Sequence, residues 1–498
     1  MPKEPVVAIF VHAGAGYHSL LNEKLHLEAC NQAARVGMTF LRAGSSATEA
    51  VEVAIRCLEE NEVTNAGFGS NLNIDGVVEC DATIVDHLGR SGACGAAPGI
   101  KHPISLAKAI LDGSVKPLSL DRPPPNILVG QGAKDYAEKH RIAIVSNRSL
   151  TSKSSMERYL RLKHQLKKAE KAEKAEAKSN QNSITVGGHG KAMNATGDGQ
   201  HWNFSISTLN GAGNQDQSEF PDTGYLHPVT AAASPGAHGN PLAHTAVDNA
   251  PPLSAPVWDG SVTAGGSEEH SADDFGTCEI DGVDATSDKE HGGPSCAEDH
   301  RTQLPGSIPD RDAVTDTVGA IAIDIHGNIA AGSSSGGIGM KLRGRLGPAA
   351  LVGVGTAVVP QDPDDELATT VAAVTSGTGE QMATTLASGK CAERLYRSTR
   401  RGPGGQDIRE EDEHVVLESF ILHDFLGHPG VRSVPSPAAI GVMAVKKDRG
   451  SLYFYFAHNT DSFALATMSS LDREPLCVMS RRGDATEVAQ GARKIRLQ

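Results

Sequence analysis

The stretch Asp316-Thr317-Val318-Gly319-Ala320-Ile321-Ala322-Ile323-Asp324 decides how this chain folds. Its apolar run is followed by a turn signal, His326-Gly327-Asn328, and by a second apolar run at residues 329–332. Two short apolar runs joined by a turn that contains Gly and Asn are typical of a β-hairpin. The sequence therefore predicts a hairpin whose first strand begins at Thr317.

Thr317 places a hydroxyl at the first position of this strand. A threonine acts as a nucleophile only if a base accepts its proton, and the nearest available base is its own α-amine. That amine is free only after the bond between Asp316 and Thr317 is cut, and its pKa of about 7.7 to 8.0 leaves a useful neutral fraction at physiological pH. Because threonine is also a common strand residue, both interpretations stay open at this point.

Strand and helix patterns alternate upstream of the hairpin. A buried strand is predicted at residues 6–11, followed by a helix at residues 22–41 that Gly44 closes. The tetrapeptide Ser46-Ala47-Thr48-Glu49 predicts a capping box that opens a second helix. The remaining elements expected in this half are a strand at 77–85, a helix near 106–111, an apolar segment at 127–129 and a helix near 133–139.

The second half of the chain, downstream of the hairpin, has the same mixed character. We expect strands at 351–359, 439–445 and 452–456, with helices near 382–396 and 415–423. The sequence therefore predicts two halves, 1–178 and 317–498, that build one domain around the intervening segment 179–316.

That intervening segment has an unusual composition. It contains few Leu, Ile, Val or Phe residues, and acidic residues outnumber basic ones toward its end. Such a segment buries too little apolar surface to offset its ordering entropy, so we interpret it as a disordered acidic insertion. Just before it, residues 152–178 interleave Lys and Arg with Glu at helical spacing, which predicts a solvated helix. A bipartite nuclear-import signal is the functional alternative.

Composition excludes several classes of protein. The 498 residues carry 46 basic and 60 acidic side chains, a net charge of -14, which argues against coating nucleic acid or an anionic membrane. No run approaches the roughly 20 apolar residues of a membrane span. The eight cysteines contain no Cys-x-x-Cys pair, and no His-Glu-x-x-His occurs, so no metal or cofactor is expected. Gly332-Ser333-Ser334-Ser335-Gly336 formally matches a nucleophile elbow, but it lies in a hairpin arm without a following helix.

Several motifs together resemble the N-terminal-nucleophile asparaginase family. They are Asp316-Thr317-Val318-Gly319-Ala320, Ser333-Ser334-Ser335-Gly336-Gly337, Lys341-x-x-Gly344-Arg345-x-Gly347, Thr375-Ser376-Gly377-x-Gly379-Glu380, residues 64–73 and Glu79-Cys80-Asp81-Ala82. Within that family, Val11-His12-Ala13-Gly14-Ala15-Gly16-Tyr17-His18-Ser19, Cys80 and the basic helix resemble the endopeptidase branch, the threonine aspartases (taspases).

This resemblance implies an α+β fold, a four-layer αββα sandwich, that cuts itself between Asp316 and Thr317 and keeps its α and β chains associated. Thr317 resembles the nucleophile and Ser335 the hydroxyl that hydrogen-bonds it. Ser376 and Gly377 resemble the oxyanion hole. Gly14 resembles a glycine that helps to strain the scissile bond, and Arg345 resembles the guanidinium that holds a substrate carboxylate.

One departure from the family pattern bears on the substrate. Asparaginases and aspartylglucosaminidases continue Gly-Arg-x-Gly with an Asp that binds the free α-amine of an amino-acid substrate, whereas this sequence has Pro348. A polypeptide substrate has no such amine, so the departure favours an endopeptidase in which Arg345 binds a P1 aspartate. Residues 279–284 resemble the substrate pattern of the branch, which suggests a second self-cleavage between Asp281 and Gly282.

The expected partners are protein substrates with Asp at P1 and the chain's own α and β chains, and pairing into an αβ dimer stays open. Direct nucleic-acid and membrane partners are not expected. The expected location is the nucleus, the cytoplasm or both. Two alternatives remain open: an L-asparaginase or isoaspartyl dipeptidase with the same chemistry, and a catalytically silent scaffold.

Overall fold

The computed structural model describes residues 5–186, 316–484 and 486–497, and all of these residues belong to one compact unit. The disorder expected for 179–316 is wrong at both ends of that segment, because residues 179–186 continue the helix Lys153–Val186 and Asp316 is buried. The rest of the segment, with the suggested cleavage between Asp281 and Gly282, lies outside these ranges. Within the described ranges, no helix is long and apolar enough to cross a membrane.

Fifteen strands are formed within the described residues. They are β1 (Ala8–Gly16), β2 (Glu79–Val85), β3 (Ser91–Pro98), β4 (Ile127–Val129), β5 (Val318–Ile323), β6 (Ile329–Ser335), β7 (Thr356–Val359), β8 (Thr370–Gly377), β9 (Thr399–Arg401), β10 (Asp407–Arg409), β11 (Ile440–Lys447), β12 (Ser451–His458), β13 (Ser462–Ser469), β14 (Leu476–Arg481) and β15 (Ala489–Arg496).

Ten α-helices accompany these strands in the same part of the chain. They are α1 (Glu23–Arg42), α2 (Ala47–Glu59), α3 (Pro103–Gly113), α4 (Gly130–Lys139), α5 (Asn147–Leu150), α6 (Lys153–Val186), α7 (Gly379–Thr385), α8 (Ala387–Arg397), α9 (Glu413–Ser419) and α10 (Pro429–Arg432). A π-helical turn, Phe420–Phe425, extends α9.

The predicted hairpin lies at the centre of the larger sheet. That sheet has eight strands in the order β14-β13-β1-β5-β6-β2-β3-β4, and a second sheet has the order β15-β12-β11-β8-β7. Val318 pairs with Ser334 and Ile323 with Ile329, which confirms the hairpin formed by β5 and β6. Since β1 flanks β5 on its other side, both halves of the sequence contribute to the centre of one sheet.

Side chains alternate across the strands and build three cores. On β1, Ile9 and Val11 face the core that this sheet shares with α1 and α2, whereas Ala8 and Phe10 face the second sheet. A third core lies between the second sheet and α7 to α9, with Phe420 among its buried side chains. The described residues therefore form layers in the order helix, sheet, sheet, helix, as the sequence led us to expect.

Local signals of capping agree with the structure. Ser46 accepts a hydrogen bond from the backbone N–H of Glu49, and the Glu49 carboxylate accepts one from the N–H of Ser46 at 2.8 Å. This capping box stabilises the first turn of α2, whose residues Val51 and Ile55 pack on the central hairpin at Gly332. The predicted box is therefore confirmed, and it orients the helix that lies behind β6.

Three sequence predictions differ from the structure. The strand expected at 351–359 begins only at Thr356, because residues 348–350 form a 3₁₀ turn and Gly353 takes a positive φ. The helix expected at 382–396 breaks at Leu386, which adopts a left-handed conformation. The basic helix is not solvated along its first turns, because Tyr159 is buried and Arg158 donates a 2.8 Å hydrogen bond to the carbonyl of Gly69.

Candidate active site

The peptide bond between Asp316 and Thr317 lies at the entrance of β5, and both residues are buried. Because Val318 pairs with Ser334, continuing the antiparallel register by one residue places Thr317 opposite Ser335. On the neighbouring strand Asp81 pairs with Ser335. The hairpin thus brings the predicted nucleophile and the predicted serine to the same end of the sheet.

The glycine-rich end of β1 covers the side chain of Asp316. Gly14 has a φ of +113°, a conformation that side chains rarely allow, and a Cβ at that position would clash with the Cβ of Asp316. A Cβ at Gly16 would clash with the Asp316 carboxylate. The structure therefore places Gly14 against the side chain of Asp316, and only glycines allow this approach.

Ser376 lies directly beside the scissile bond. Its Oγ accepts hydrogen bonds from the backbone N–H of Thr317 at 3.2 Å and from that of Ala15 at 3.0 Å. The hydroxyl proton of Ser376 thus remains available to an oxyanion. The neighbouring Gly377 has a φ of +150°, and a Cβ there would clash with the carbonyl of Ala439. Glycine at 377 therefore lets β8 end tightly against β11 beside the site.

Ser335 has a different partner from the one expected. Its Oγ accepts a 3.0 Å hydrogen bond from the N–H of Gly337, and within the described ranges no hydrogen bond joins it to Thr317. The carbonyl of Gly337 in turn accepts hydrogen bonds from the side-chain amides of Asn65 and Asn71. Ser335 therefore shapes the turn after β6, close to Thr317.

Ser334, which matched the elbow pattern, is fully buried and faces the helices. Its hydroxyl donates a 2.7 Å hydrogen bond to Oε1 of Glu59, a carboxyl whose pKa is raised by burial. Ser334 consequently anchors β6 to the end of α2, and its geometry gives no support to a nucleophile at this position.

Arg345 lies close to the glycines at 337, 347 and 379. Its Nε and Nη2 both donate to Oε1 of Glu380, at 2.9 and 2.7 Å. Nη1 donates no hydrogen bond to a described residue, so the end of the guanidinium is still open to a second carboxylate. The Glu380 side chain is 70% exposed, whereas that of Arg345 is only 15% exposed.

Asp81 fixes the turn that carries Arg345. Its two carboxylate oxygens accept hydrogen bonds from the N–H of Ala96 at 2.7 Å and from that of Gly347 at 2.8 Å. Burial raises the pKa of Asp81, although Lys341 and the two N–H groups act in the opposite direction. The hydrogen bond from Gly347 to Asp81 therefore fixes the backbone two residues after Arg345.

Asp81→Asn is expected to lower the free energy of unfolding by about 1–3 kcal/mol, because the amide NH₂ would face one of the two N–H donors and leave it unpaired. Urea unfolding of chains kept uncut by Thr317→Val would measure this. Asp112→Asn, whose carboxylate pairs with Lys108 at the surface, is the control and should change the free energy by about 0.5 kcal/mol or less. Equal effects of the two variants would contradict the role given to Asp81.

Two histidines of the glycine-rich segment lie near the site. His12 is fully buried, and burial lowers its pKa to about 3, so the ring is neutral at physiological pH. Its ring packs on Phe463, and a Cβ at Gly319 would clash with it. His18 lies with Nε2 3.3 Å from Oδ2 of Asp316. The sequence motifs contained His18, Asp81 and Glu380 but gave no signal of these contacts.

The described residues contain no cluster of three or more His, Cys, Asp or Glu side chains that could hold a metal ion. Cys80 lies with its Sγ 3.4 Å from the hydroxyl of Ser70, and burial raises the pKa of its thiol to about 11. The residues around Thr317 thus offer hydroxyls and backbone N–H groups, a set suited to acyl transfer.

Residues 4–197 and 279–401 match the family described as Asparaginase, which is more than half of the chain. The chain belongs to the asparaginase family. This family membership confirms the resemblance expected from the motifs, while assignment to the endopeptidase branch stays a prediction.

Individual relatives from this family match shorter segments. The probable isoaspartyl peptidase/L-asparaginase 2 of Arabidopsis thaliana is 39% identical over 146 residues, 28% of this chain and 42% of that protein. The isoaspartyl peptidase/L-asparaginase of Mus musculus is 37% identical over 134 residues, 26% of this chain and 38% of that protein. The plant-type L-asparaginase of Pyrococcus horikoshii is 37% identical over 168 residues, 33% of this chain and 50% of that protein. The chain thus spans half or less of the length of these relatives.

Proposed function

We propose that the chain is an autoprocessing threonine endopeptidase that cuts itself between Asp316 and Thr317 and then cleaves other proteins after aspartate. The burial of this one peptide bond supports the proposal most directly. The side chain of Asp316 lies against Gly14, and the N–H of the bond itself donates to Ser376. Connecting segments usually run over the surface, so a buried junction between an insertion and a strand points to chemistry at that bond.

Self-cleavage begins when Oγ of Thr317 attacks the carbonyl carbon of Asp316. An ester forms at Oγ, the bond between that carbon and the amide nitrogen breaks, and the hydroxyl proton ends on the nitrogen. Water then hydrolyses the ester, which leaves a carboxylate on Asp316 and a free α-amine on Thr317. We assign oxyanion stabilisation to Ser376 and the N–H of Gly377; loss of one such donor typically costs about 2.7–4 kcal/mol.

The mature enzyme repeats this acyl transfer on a substrate. The α-amine of Thr317 accepts the hydroxyl proton and later returns it to the leaving amine. Ser335 is assigned to support the hydroxyl once the chain is cut. The open end of the Arg345 guanidinium is assigned to the carboxylate of a P1 aspartate.

The runner-up function is an L-asparaginase or isoaspartyl peptidase, and the activities for which the relatives are named favour it. The position after Gly347 favours the endopeptidase instead. Pro348 is buried in a 3₁₀ turn and offers no anion to the α-amine of a free amino acid. We therefore place the endopeptidase first.

Three substrates separate these functions. The processed enzyme is incubated with a peptide that contains Ile-Asp-Gly, with free asparagine and with an isoaspartyl dipeptide, and new amines are quantified. We expect rapid cleavage of the peptide after Asp. Fast turnover of asparagine or the dipeptide, with an intact peptide, would assign the runner-up; an uncut chain that acts on none of the three would point to a scaffold.

Further proposals accompany this function. The α and β chains are proposed to stay associated after the cut and to pair as αβ units, in the nucleus or the cytoplasm. Trimming of the insertion between Asp281 and Gly282 is proposed as a second self-cleavage. We assign no metal or cofactor to the mechanism, because the threonine supplies both nucleophile and base.

A further inference from the structure

The side chain of Asp316 contacts a histidine, whereas the carboxylate of a substrate aspartate is assigned to the guanidinium of Arg345. Its Oδ2 is 3.3 Å from Nε2 of His18, and both side chains are almost fully buried. Arg345 instead pairs with Glu380. The aspartate that precedes Thr317 and the guanidinium expected to bind a substrate aspartate therefore contact different groups.

His18 is held in place from several sides. Its Nδ1 lies 2.8 Å from the hydroxyl of Ser462, and its backbone N–H donates to the same hydroxyl at 3.0 Å. Its ring packs edge-on against His26, with ring centroids 4.4 Å apart. The carbonyl of His18 accepts hydrogen bonds from Arg481. The ring is thus held by contacts other than the one with Asp316, so Nε2 offers a fixed point of contact.

We propose that His18 positions Asp316 for self-cleavage, whereas Arg345 binds the P1 aspartate of other substrates. The inference rests on the proposed function and gives its two reactions different specificity residues. His18 and the glycines at 14 and 16 hold the Asp316 side chain, and this fixes the carbonyl carbon that Oγ of Thr317 attacks. His18 contacts the side chain next to the scissile bond, so it acts as a positioning residue.

A matched pair of variants tests the contact itself. The side-chain amide of Asn can occupy the position of Nδ1, so His18→Asn keeps the contact with Ser462 and loses the one with Asp316. His18→Gln reproduces the reach of Nε2 and keeps a donor near Asp316. We expect His18→Asn to slow self-cleavage about ten- to hundredfold, the usual effect of removing a polar group that faces a buried carboxylate, and His18→Gln to restore most of the rate.

The measurement follows conversion of the full 498-residue chain into two fragments by denaturing electrophoresis after synthesis. Thermal unfolding checks that each variant is folded. His458→Asn is the control, because His458 is also buried and its Nδ1 lies 3.0 Å from a hydroxyl, that of Thr460. Self-cleavage of this control is expected at the wild-type rate.

Arg345→Ala provides the second arm of the test. This variant should cut itself at the wild-type rate and then fail to cleave an Ile-Asp-Gly peptide. The His18→Asn variant, once it has cut itself, should cleave that peptide at the wild-type rate. Wild-type rates in His18→Asn, equal slowing in His18→Asn and His18→Gln, or slow conversion of Arg345→Ala would each overturn the inference. A wild-type chain that never converts would instead overturn the proposed function.

A double-mutant cycle keeps the inference testable if His18→Asn folds poorly. Asp316→Asn removes the charge from the other partner, and the combined variant should be no slower than the slower single variant. Additive slowing in the combined variant would show that the two side chains act independently, which contradicts the proposed contact.

Discussion

Thr317→Val is expected to leave the chain in one piece and to abolish hydrolysis of Ile-Asp-Gly peptides. Valine keeps the branched shape and fits the buried entrance of β5, but it has no hydroxyl to attack the carbonyl of Asp316. Without that attack no α-amine is released, so nucleophile and base are lost together. Loss of a catalytic nucleophile reduces kcat by roughly 10⁴-fold or more.

Electrophoresis and N-terminal sequencing check this result. Thr317→Ser should retain part of both reactions, because serine keeps the hydroxyl but lacks the methyl group that orients it. N-terminal sequencing of wild-type protein should find a chain that begins Thr-Val-Gly-Ala-Ile. An active Thr317→Val variant, or active wild-type protein without that N-terminus, would remove Thr317 from the mechanism.

Much of the fold could be predicted because its signals are local. The capping box at Ser46, the apolar stripe of α2 and the turn at Gly327 each act within a few residues, and the structure contains all three. Strand β3, Ser91–Pro98, gave no such signal because it consists mainly of Gly and Ala. A Cβ at Gly92 would clash with the carbonyl of Ala107 on α3, so the small residues serve helix packing.

The candidate site could be predicted only in part for a related reason. The motifs identified Thr317 and Ser376, and the structure places them in contact. The contacts of His18 with Asp316 and of Arg345 with Glu380 join residues far apart in sequence, and no spacing rule relates them. Helical spacing alone likewise predicts a solvated basic helix, because it carries no sign that the hydroxyl of Tyr159 donates to the carbonyl of Ile74.

Arg345→Ala is expected to lower kcat/KM for peptides with Asp at P1 by roughly 30-fold to a few thousandfold, which corresponds to the 2–5 kcal/mol typical of removing one partner of a hydrogen-bonded charge pair. The variant removes the guanidinium N–H groups that are assigned to the P1 carboxylate, and it leaves the carboxylate of Glu380 beside the P1 subsite. Peptides with Ala or Asn at P1 should lose much less, so the preference for Asp disappears.

A substitution at Glu380 distinguishes the effect of its charge from the effect of its hydrogen bonds to Arg345. In Glu380→Gln the amide oxygen can still accept from Nε and Nη2 of Arg345, so the guanidinium should keep its orientation while one negative charge leaves the site. This variant is expected to bind Asp peptides with an equal or lower KM, and in combination with Arg345→Ala it should recover part of the lost activity, because the repulsion between Glu380 and P1 is gone. Unchanged selectivity in Arg345→Ala, measured as the ratio of kcat/KM for Asp and Asn peptides, would mean that another group reads the substrate carboxylate.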